Sequence, residues 1–271
     1  MPFLPPLPDV DDLGAMVPLD GPARRVVSLV PSLTEAIAAT DAGLLVGATD
    51  WCTHPAGLDV ARVRGTKNPD LTAIRGLEPD LVVANAEENR KLDVQRLEAG
   101  GLAVFVTMPT TVAGAVAELR DLAAAVGDLP GAAALDADLV AAVADAYRRR
   151  PARRVRYACA VWRDPWMWLG RRTYAADLLG LAGGEPVLDD PATRYPALEL
   201  ETVAGLGPEL VLLPSEPYEF GSPDADELAA SFAGARVELV DGRALTWYGP
   251  RIPAALEAYR ELLGGAARAS T

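Results

Sequence analysis

The sequence predicts an α/β protein: two Rossmann-like lobes with mostly parallel sheets, joined by one long backbone helix. Three observations lead there. The first is an internal echo. Arg24-Arg25-Val26 returns as Arg153-Arg154-Val155, and Gly76-Leu77-Glu78-Pro79-Asp80-Leu81-Val82 returns as Gly205-Leu206-Gly207-Pro208-Glu209-Leu210-Val211. Arg24 to Arg153 and Gly76 to Gly205 are both 129 residues apart, so two half-chains share one wiring. The second is that short apolar runs alternate with helical stretches, which argues for parallel sheets covered on both faces. The third is a single long helical segment lying between the halves.

In the first half, Val26–Val30, Leu45–Ala48, Leu81–Ala84 and Ala103–Val106 read as short buried strands, compact and rich in Val, Leu and Ala. Pro31-Ser32-Leu33-Thr34-Glu35 reads as a helix start, with Ser32 as N-cap and Glu35 closing a capping box. Helical periodicity covers residues 89–99 and 111–126. In the second half strands are expected at Val155–Val161, Trp166–Leu169, Leu210–Leu213 and Val237–Val240. Helices are expected at Thr173–Leu181, Leu200–Ala204, Asp224–Phe232 and Pro253–Leu263. Between the halves, Leu135, Leu139, Val143 and Tyr147 recur every four residues, with Val140 and Ala144 beside them. Asp136 and Asp138 lie near the start of this stretch and Arg148-Arg149-Arg150 near its end, which suits the helix dipole. Pro151 stops it. A helix of roughly 18–20 residues would be about 27–30 Å long. The expected division is an irregular segment 1–21, an N-terminal lobe 22–128, a connecting helix 129–150 and a C-terminal lobe 151–271.

The chain has 271 residues, half of them hydrophobic, enough for two cores. No run of about 20 apolar residues occurs, so no membrane span is expected. The net charge of −13 shows no basic stripe, so no nucleic-acid partner is expected. The start, Met1 to Pro8, is broken by prolines and lacks an early Lys or Arg, unlike a secretory signal. This points to a cytoplasmic protein, or to an exported one if its signal has been removed. Two distant cysteines, Cys52 and Cys159, imply no disulfide framework.

The run Arg25-Val26-Val27-Ser28-Leu29-Val30-Pro31-Ser32-Leu33-Thr34-Glu35 resembles the first strand and turn of the helical-backbone (class III) periplasmic binding proteins, the family of vitamin B12 and ferric-siderophore receptors. Arg64-Gly65-Thr66-Lys67-Asn68 and Leu77-Glu78-Pro79-Asp80-Leu81-Val82-Val83 are similar to its second signature, and Trp247-Tyr248-Gly249-Pro250-Arg251 to its closing aromatic–Pro–Arg region. The resemblance spans about residues 22–265. It implies a ligand held between lobes that close on it. It also implies one exposed carboxylate per lobe for docking on an ABC permease. Glu201 stands at one such position and Thr72 at the other, so permease docking is in doubt.

In open parallel sheets, ligands sit beyond the carboxyl ends of strands. Those ends offer Pro31, Ser32, Asp50, Trp51, Lys67, Asn68, Asn85, Glu87, Glu88 and Asn89 in the first half. In the second they offer Trp162, Arg163, Trp166, Tyr195, Glu216, Tyr218, Trp247, Tyr248 and Arg251. All five tryptophans, 51, 162, 166, 168 and 247, lie at or near strand ends. Aromatic rings suit a planar or macrocyclic ligand. The expected ligand set is Ser32, Trp51, Lys67, Asn68, Glu87, Glu88, Trp162, Trp166, Tyr195, Glu216, Tyr218, Trp247, Tyr248 and Arg251. Trp51, Trp247 and Arg251 are expected to meet one ligand from opposite lobes. No metal site is predicted. Cys52 and His54 could begin one, but a structural zinc normally takes four Cys or His ligands, and the chain has three such residues. No catalytic residue is assigned, because no nucleophile elbow, Walker loop or dinucleotide fingerprint occurs. The leading expectation is therefore a binding protein, requiring no cofactor, that takes a corrinoid or ferric chelate as ligand inside the cell. The alternatives are a direct metal-ion binder or metallochaperone, and an enzyme acting on such a ligand through Glu87, Glu88 or Glu216.

Overall fold

The computed structural model describes residues 10–127 and 129–269; the proline-rich start lies outside them. In chain order the elements are β1 (Val26–Ser28), α1 (Pro31–Asp41), β2 (Leu45–Ala48), β3 (Ala61–Arg62), β4 (Arg64–Gly65), β5 (Asn68–Pro69), α2 (Leu71–Gly76), β6 (Leu81–Asn85), α3 (Lys91–Ala99), β7 (Val104–Thr107), α4 (Val112–Val126) and α5 (Pro130–Arg148). There follow β8 (Val155–Trp162), β9 (Met167–Trp168), α6 (Tyr174–Ala182), β10 (Gly184–Pro186), α7 (Leu200–Ala204), β11 (Leu210–Pro214), α8 (Ser222–Ser231), β12 (Arg236–Val240), α9 (Gly242–Thr246) and α10 (Ile252–Ala269).

The chain divides into two compact units. Unit 1 holds the residues up to Pro109, with Ala113–Val140 and Tyr248–Pro250; unit 2 holds Thr110–Val112, Ala141–Trp247 and the residues from Arg251 on. Unit 1 carries a parallel sheet in the order β3-β2-β1-β6-β7, and unit 2 a parallel sheet in the order β10-β8-β11-β12 with β9 antiparallel on β8. The two sheets are separate, as the fold class requires. In each, the chain moves outward on one side of a central strand and returns on the other. The direction therefore reverses between β1 and β6, and again between β8 and β11, and such reversals open a crevice at the strands' carboxyl ends.

The echo in the sequence has a physical counterpart. In unit 1 the Asp80 carboxylate accepts the backbone N–H groups of Arg24 and Arg25 at 2.8 and 2.9 Å, while the Asp80 N–H donates to Arg25 O at 2.8 Å. In unit 2 the Glu209 carboxylate accepts the Arg156 N–H at 3.0 Å and the Arg153 guanidinium at 2.8 Å, while the Glu209 N–H donates to Arg156 O at 2.8 Å. A Pro–acid step thus clasps the entrance of the central strand in both units and sets its pairing with the next. Those next strands, β6 and β11, are buried at every residue. Each buried Val or Leu there stabilises by about 1.5–3 kcal/mol.

Two local expectations are corrected. Helix α1 starts at Pro31 with Val30 at the N-cap and no side-chain cap; Ser32 lies inside the helix, buried, and the capping box to Glu35 does not form. Proline is well suited to the first helical position, since its φ is preset and its missing N–H has no helical partner there anyway. In α5 the buried stripe is Ala132, Leu139, Val143 and Ala146, while Val140 and Tyr147 are exposed. Steps of four residues drift by about 40° each against a 3.6-residue turn, so the run from Leu135 leaves the buried face by Tyr147.

The segment preceding β1 is tied to unit 1. Asp11 caps its own turn through Leu13 and Ala15. The Asp12 N–H donates to Val106 O at 3.2 Å, and its carboxylate accepts the Met108 N–H at 2.6 Å. Beneath it Glu118 of α4 is 8% exposed. Burial, then the hydrogen bond and charge of Asp12, push its pKa from 4.5 up to about 10. Glu118 is therefore a neutral acid that donates to Asp12. The folded state holds this proton more tightly than the unfolded chain does, so stability falls as pH rises from about 4.5 towards 10. Glu118→Gln keeps a donor and removes the titration. Melting curves should show it raising Tm at pH 9 by about 3 °C or more and by less at pH 5; an unchanged pH slope would contradict the assignment.

Candidate functional site

Within each unit several candidate residues lie on the loops that follow strands, among them Trp51 after β2, Glu87 and Glu88 after β6, and Glu216 and Tyr218 after β11. In unit 1, Trp51 follows β2 and is 66% exposed. Gly65 in the β4–β5 hairpin makes room beside it: a Cβ there would stand 2.6 Å from Asn68 Oδ1 and 3.4 Å from Trp51 Nε1. Glycine thus lets Trp51 and Asn68 share one corner. Lys67 in the hairpin turn donates to Glu87 O at 2.6 Å, tying this turn to the loop after β6. That loop is shaped by Asn85, whose side-chain oxygen accepts the N–H groups of Glu87 and Glu88 at 2.8 and 3.2 Å. Glu87 is exposed and Glu88 half-buried.

Other first-half candidates lie deeper. Ser32 is 2% exposed, and its hydroxyl is buried without a hydrogen-bond partner. The Cys52 thiol is fully buried between Thr34 and Thr49, at 3.0 and 3.1 Å, and burial raises its pKa. His54 Nδ1 lies 3.1 Å from the Thr53 hydroxyl. Cys52 therefore faces two threonines, and among the described residues no three His, Cys, Asp or Glu side chains are grouped to hold a metal ion.

In unit 2 an aromatic ladder runs from the surface into the core. Trp162, at the end of β8 and 43% exposed, meets Tyr218 edge-on at 5.5 Å. Tyr218 packs on Phe220 at 4.7 Å, Phe220 stacks on Trp166 at 5.8 Å, Trp166 stacks on Trp168 at 6.0 Å, and Trp168 meets Phe232 at 5.8 Å. Trp168 is wholly buried, with its indole N–H on Leu198 O. Arg163 lies 5.2 Å over Trp166 and is pinned by Asp224 and Glu227. Phe220 was missed in the sequence; it lies in the irregular segment between β11 and α8, where no periodicity marks it.

The loop after β11 places Glu216 against Trp247, whose indole N–H donates to the carboxylate at 3.0 Å. Arg251 lies 4.9 Å over the Trp247 ring, and Arg243 is 3.9 Å from Glu216. Burial raises the Glu216 pKa; the Trp247 hydrogen bond and the two arginines oppose it. Gly242 permits this packing, because a Cβ there would fall 2.4 Å from Glu216 N. No sequence signal marks that glycine. Trp247 is 7% exposed, a packed ring rather than an open face. Tyr195 lies under Arg194, 6.0 Å away.

Tyr248 departs from its expected place. The sequence groups it with the C-terminal lobe, but Tyr248–Pro250 counts with unit 1. Its hydroxyl meets Thr107 at 2.7 Å and Asn85 at 3.2 Å, wholly buried, which forces its pKa upward. Thr107 carried no signal in the sequence. The positions expected to differ between the halves, Thr72 in α2 and Glu201 in α7, are both exposed in the first turns of short helices.

Residues 26–236 match the family model described as periplasmic binding protein. A vitamin B12-binding protein of Vibrio campbellii is 26% identical over 201 residues, 71% of each chain. The periplasmic vitamin B12 binding protein of Vibrio cholerae has a similar structure, with a TM-score of 0.77 at 20% identity, over 91% of this chain and 98% of that one. A periplasmic heme-binding protein from Roseiflexus sp. RS-1 gives 0.76 at 23% identity, over 90% and 99%. With more than half its length matched by the family model and the same two-sheet architecture in these neighbours, the chain belongs to the periplasmic binding protein family.

Proposed function

We propose that this protein binds a metal-chelated tetrapyrrole, a corrinoid in the first instance, and does not transform it. The observation that carries this reading is the exposure of Trp162 at the outer end of the unit 2 ladder. A large ring backed by a ladder of five further aromatic rings, yet open to water on its free side, is an anchor awaiting a flat apolar partner. Trp51 offers a second open indole in unit 1. The vitamin B12-binding relatives support a corrin ring, and the heme-binding neighbour supports the wider tetrapyrrole class. Glu216 and Arg251, gathered on Trp247, supply hydrogen-bonding groups for amide or carboxylate side arms on such a ring. The metal arrives already chelated in this reading, so the protein needs no metal cluster of its own.

Titration of the purified chain with cyanocobalamin and with hemin, followed by tryptophan fluorescence, tests the proposal. Saturable quenching by the corrinoid is expected, and Trp162→Ala should weaken it by roughly 30-fold, as for a desolvated aromatic anchor worth about 2 kcal/mol. Tm should change little. Unchanged affinity in that variant would sink the role of Trp162, and the absence of saturable binding by either chelate would sink the proposal.

Gly242→Ala tests the second cluster. The added methyl should push the Glu216 backbone away, at a cost of about 1–3 kcal/mol, and release Trp247. A red-shifted tryptophan emission with lowered Tm is expected; native emission and stability would show that Glu216 does not depend on Gly242.

We also infer export, in preference to the cytoplasmic location expected from the proline-rich start, because the matching family is described as periplasmic. Among the described residues no helix is long and apolar enough to cross a membrane. Fractionation of the native organism should recover the protein outside the cytoplasmic membrane; recovery from the cytoplasm would overturn this. Docking on a permease would then rest on Glu201 alone, with neutral Thr72 at the matching place.

A further inference from the structure

Around the end of α5 the acidic chain concentrates positive charge. Residues 148–156 contain Arg148, Arg149, Arg150, Arg153, Arg154 and Arg156, with no acid among them. Most are answered. Arg148 and Arg149 pair with Asp145, Arg149 also with Glu257, Arg153 with Glu209, and Arg156 donates to Leu206 O. Arg150 and Arg154 have no carboxylate within ion-pair distance among the described residues. Both line a cavity of about 210 Å³ inside unit 2, with Arg171, Asp177, Gly180, Glu185 and neighbouring apolar atoms.

Its polar groups are incompletely satisfied. One Arg154 guanidinium nitrogen donates to Gly180 O at 2.8 Å and to Gly184 O, while Arg154 Nε is buried with no partner. Tyr157 is not part of the lining; its buried, unpartnered hydroxyl lies behind it, in the field of Arg154 and Arg171. Burial and the nearby Arg150 charge lower the Arg154 pKa, as expected for a cation crowded by a second cation. Of the remaining lining groups, Asp177 already accepts the Val112 N–H at 2.8 Å, and Arg171 forms an ion pair with the exposed Asp189 while still lining the cavity. Glu185 is exposed, and its charge favours the charged form of Arg154.

We propose that this cavity is a binding site for a phosphoryl dianion, either free phosphate or a small phosphate monoester, held by Arg150, Arg154 and Arg171. Guanidinium forks match phosphate oxygens in pairs. The volume, about seven waters at roughly 30 Å³ each, admits one such group with some solvent. Carbonyl hydrogen bonds already hold Arg154 in place, so little ordering remains to oppose binding. The site is independent of the aromatic ladder.

Isothermal titration of the full chain with inorganic phosphate at pH 7.5, in low chloride, tests this. One saturable site is expected. Arg150→Gln, at an exposed position that should not disturb folding, is expected to weaken binding by about tenfold or more. Glu185→Gln should tighten it, and Trp162→Ala should leave it unchanged. Glycerol phosphate binding as tightly as phosphate identifies a monoester site, and phosphate binding alone identifies a free-ion site; either upholds the proposal. No saturable heat with either anion, or equal affinity in wild type and Arg150→Gln, overturns it.

Discussion

The clasp formed by Asp80 in one unit and Glu209 in the other holds the entrance of the strand on which each sheet is organised. A parallel pair has no hairpin to set its register, and a slip of one residue would turn every buried side chain outward. Here a proline delivers an acid whose carboxylate accepts backbone N–H groups of the neighbouring strand, while its own N–H closes the loop on a carbonyl. The bonded residue differs by two between the units, Arg25 against Arg156 counted from the echo. That is one strand period, so the facing of the side chains is preserved.

With register set at the entrances, the exits are set as well. Trp51, Glu87 and Glu88 in unit 1, and Trp162, Glu216 and Tyr218 in unit 2, follow strands whose lengths and pairings leave them at the same end of their own sheets. Small residues then refine the arrangement. Gly65 leaves room for the side chains of Asn68 and Trp51, and Gly242 lets α9 abut Glu216. In unit 2 the exposed ring of Trp162 is held by stacking that reaches Trp168 and Phe232 in the core. Aromatic pairs contribute about 0.5–1.5 kcal/mol each beyond area burial, so the contact with Tyr218 helps to hold the exposed Trp162 ring in place.

The electrostatics are similarly local. A net charge of −13 says little about any one place. Glu118 stays neutral in its pocket under Asp12, whereas Arg150 and Arg154, with no carboxylate at ion-pair distance among the described residues, face a cavity that Asp177 and Glu185 also line. Asp224 is held below the usual carboxylate range by the Gly221 N–H and by Arg163, which it helps to hold over Trp166.

Much of the fold was legible in the sequence. The repeated Arg-Arg-Val and Pro–acid steps announced two related halves, and the alternation of apolar runs with helical stretches announced parallel sheets. Strand β2 and helix α7 fall at their expected bounds, because short Val- and Leu-rich runs flanked by breakers leave few other choices. The strand-end rule located the neighbourhood of Trp51, Glu87, Trp162, Glu216 and Tyr218. Only the tertiary structure decided which of these side chains face solvent and which pack. It buried Trp247 while leaving Trp162 open, turned the Cys52 thiol between two threonines, and moved Tyr248 to Asn85 and Thr107 in the other half of the chain. The reason is physical. Periodicity and turn chemistry act over a few residues and are written in the local sequence, whereas the partner of an indole N–H or a phenol hydroxyl is chosen by residues 31 or 163 positions away, brought together only when the sheets and helices have packed.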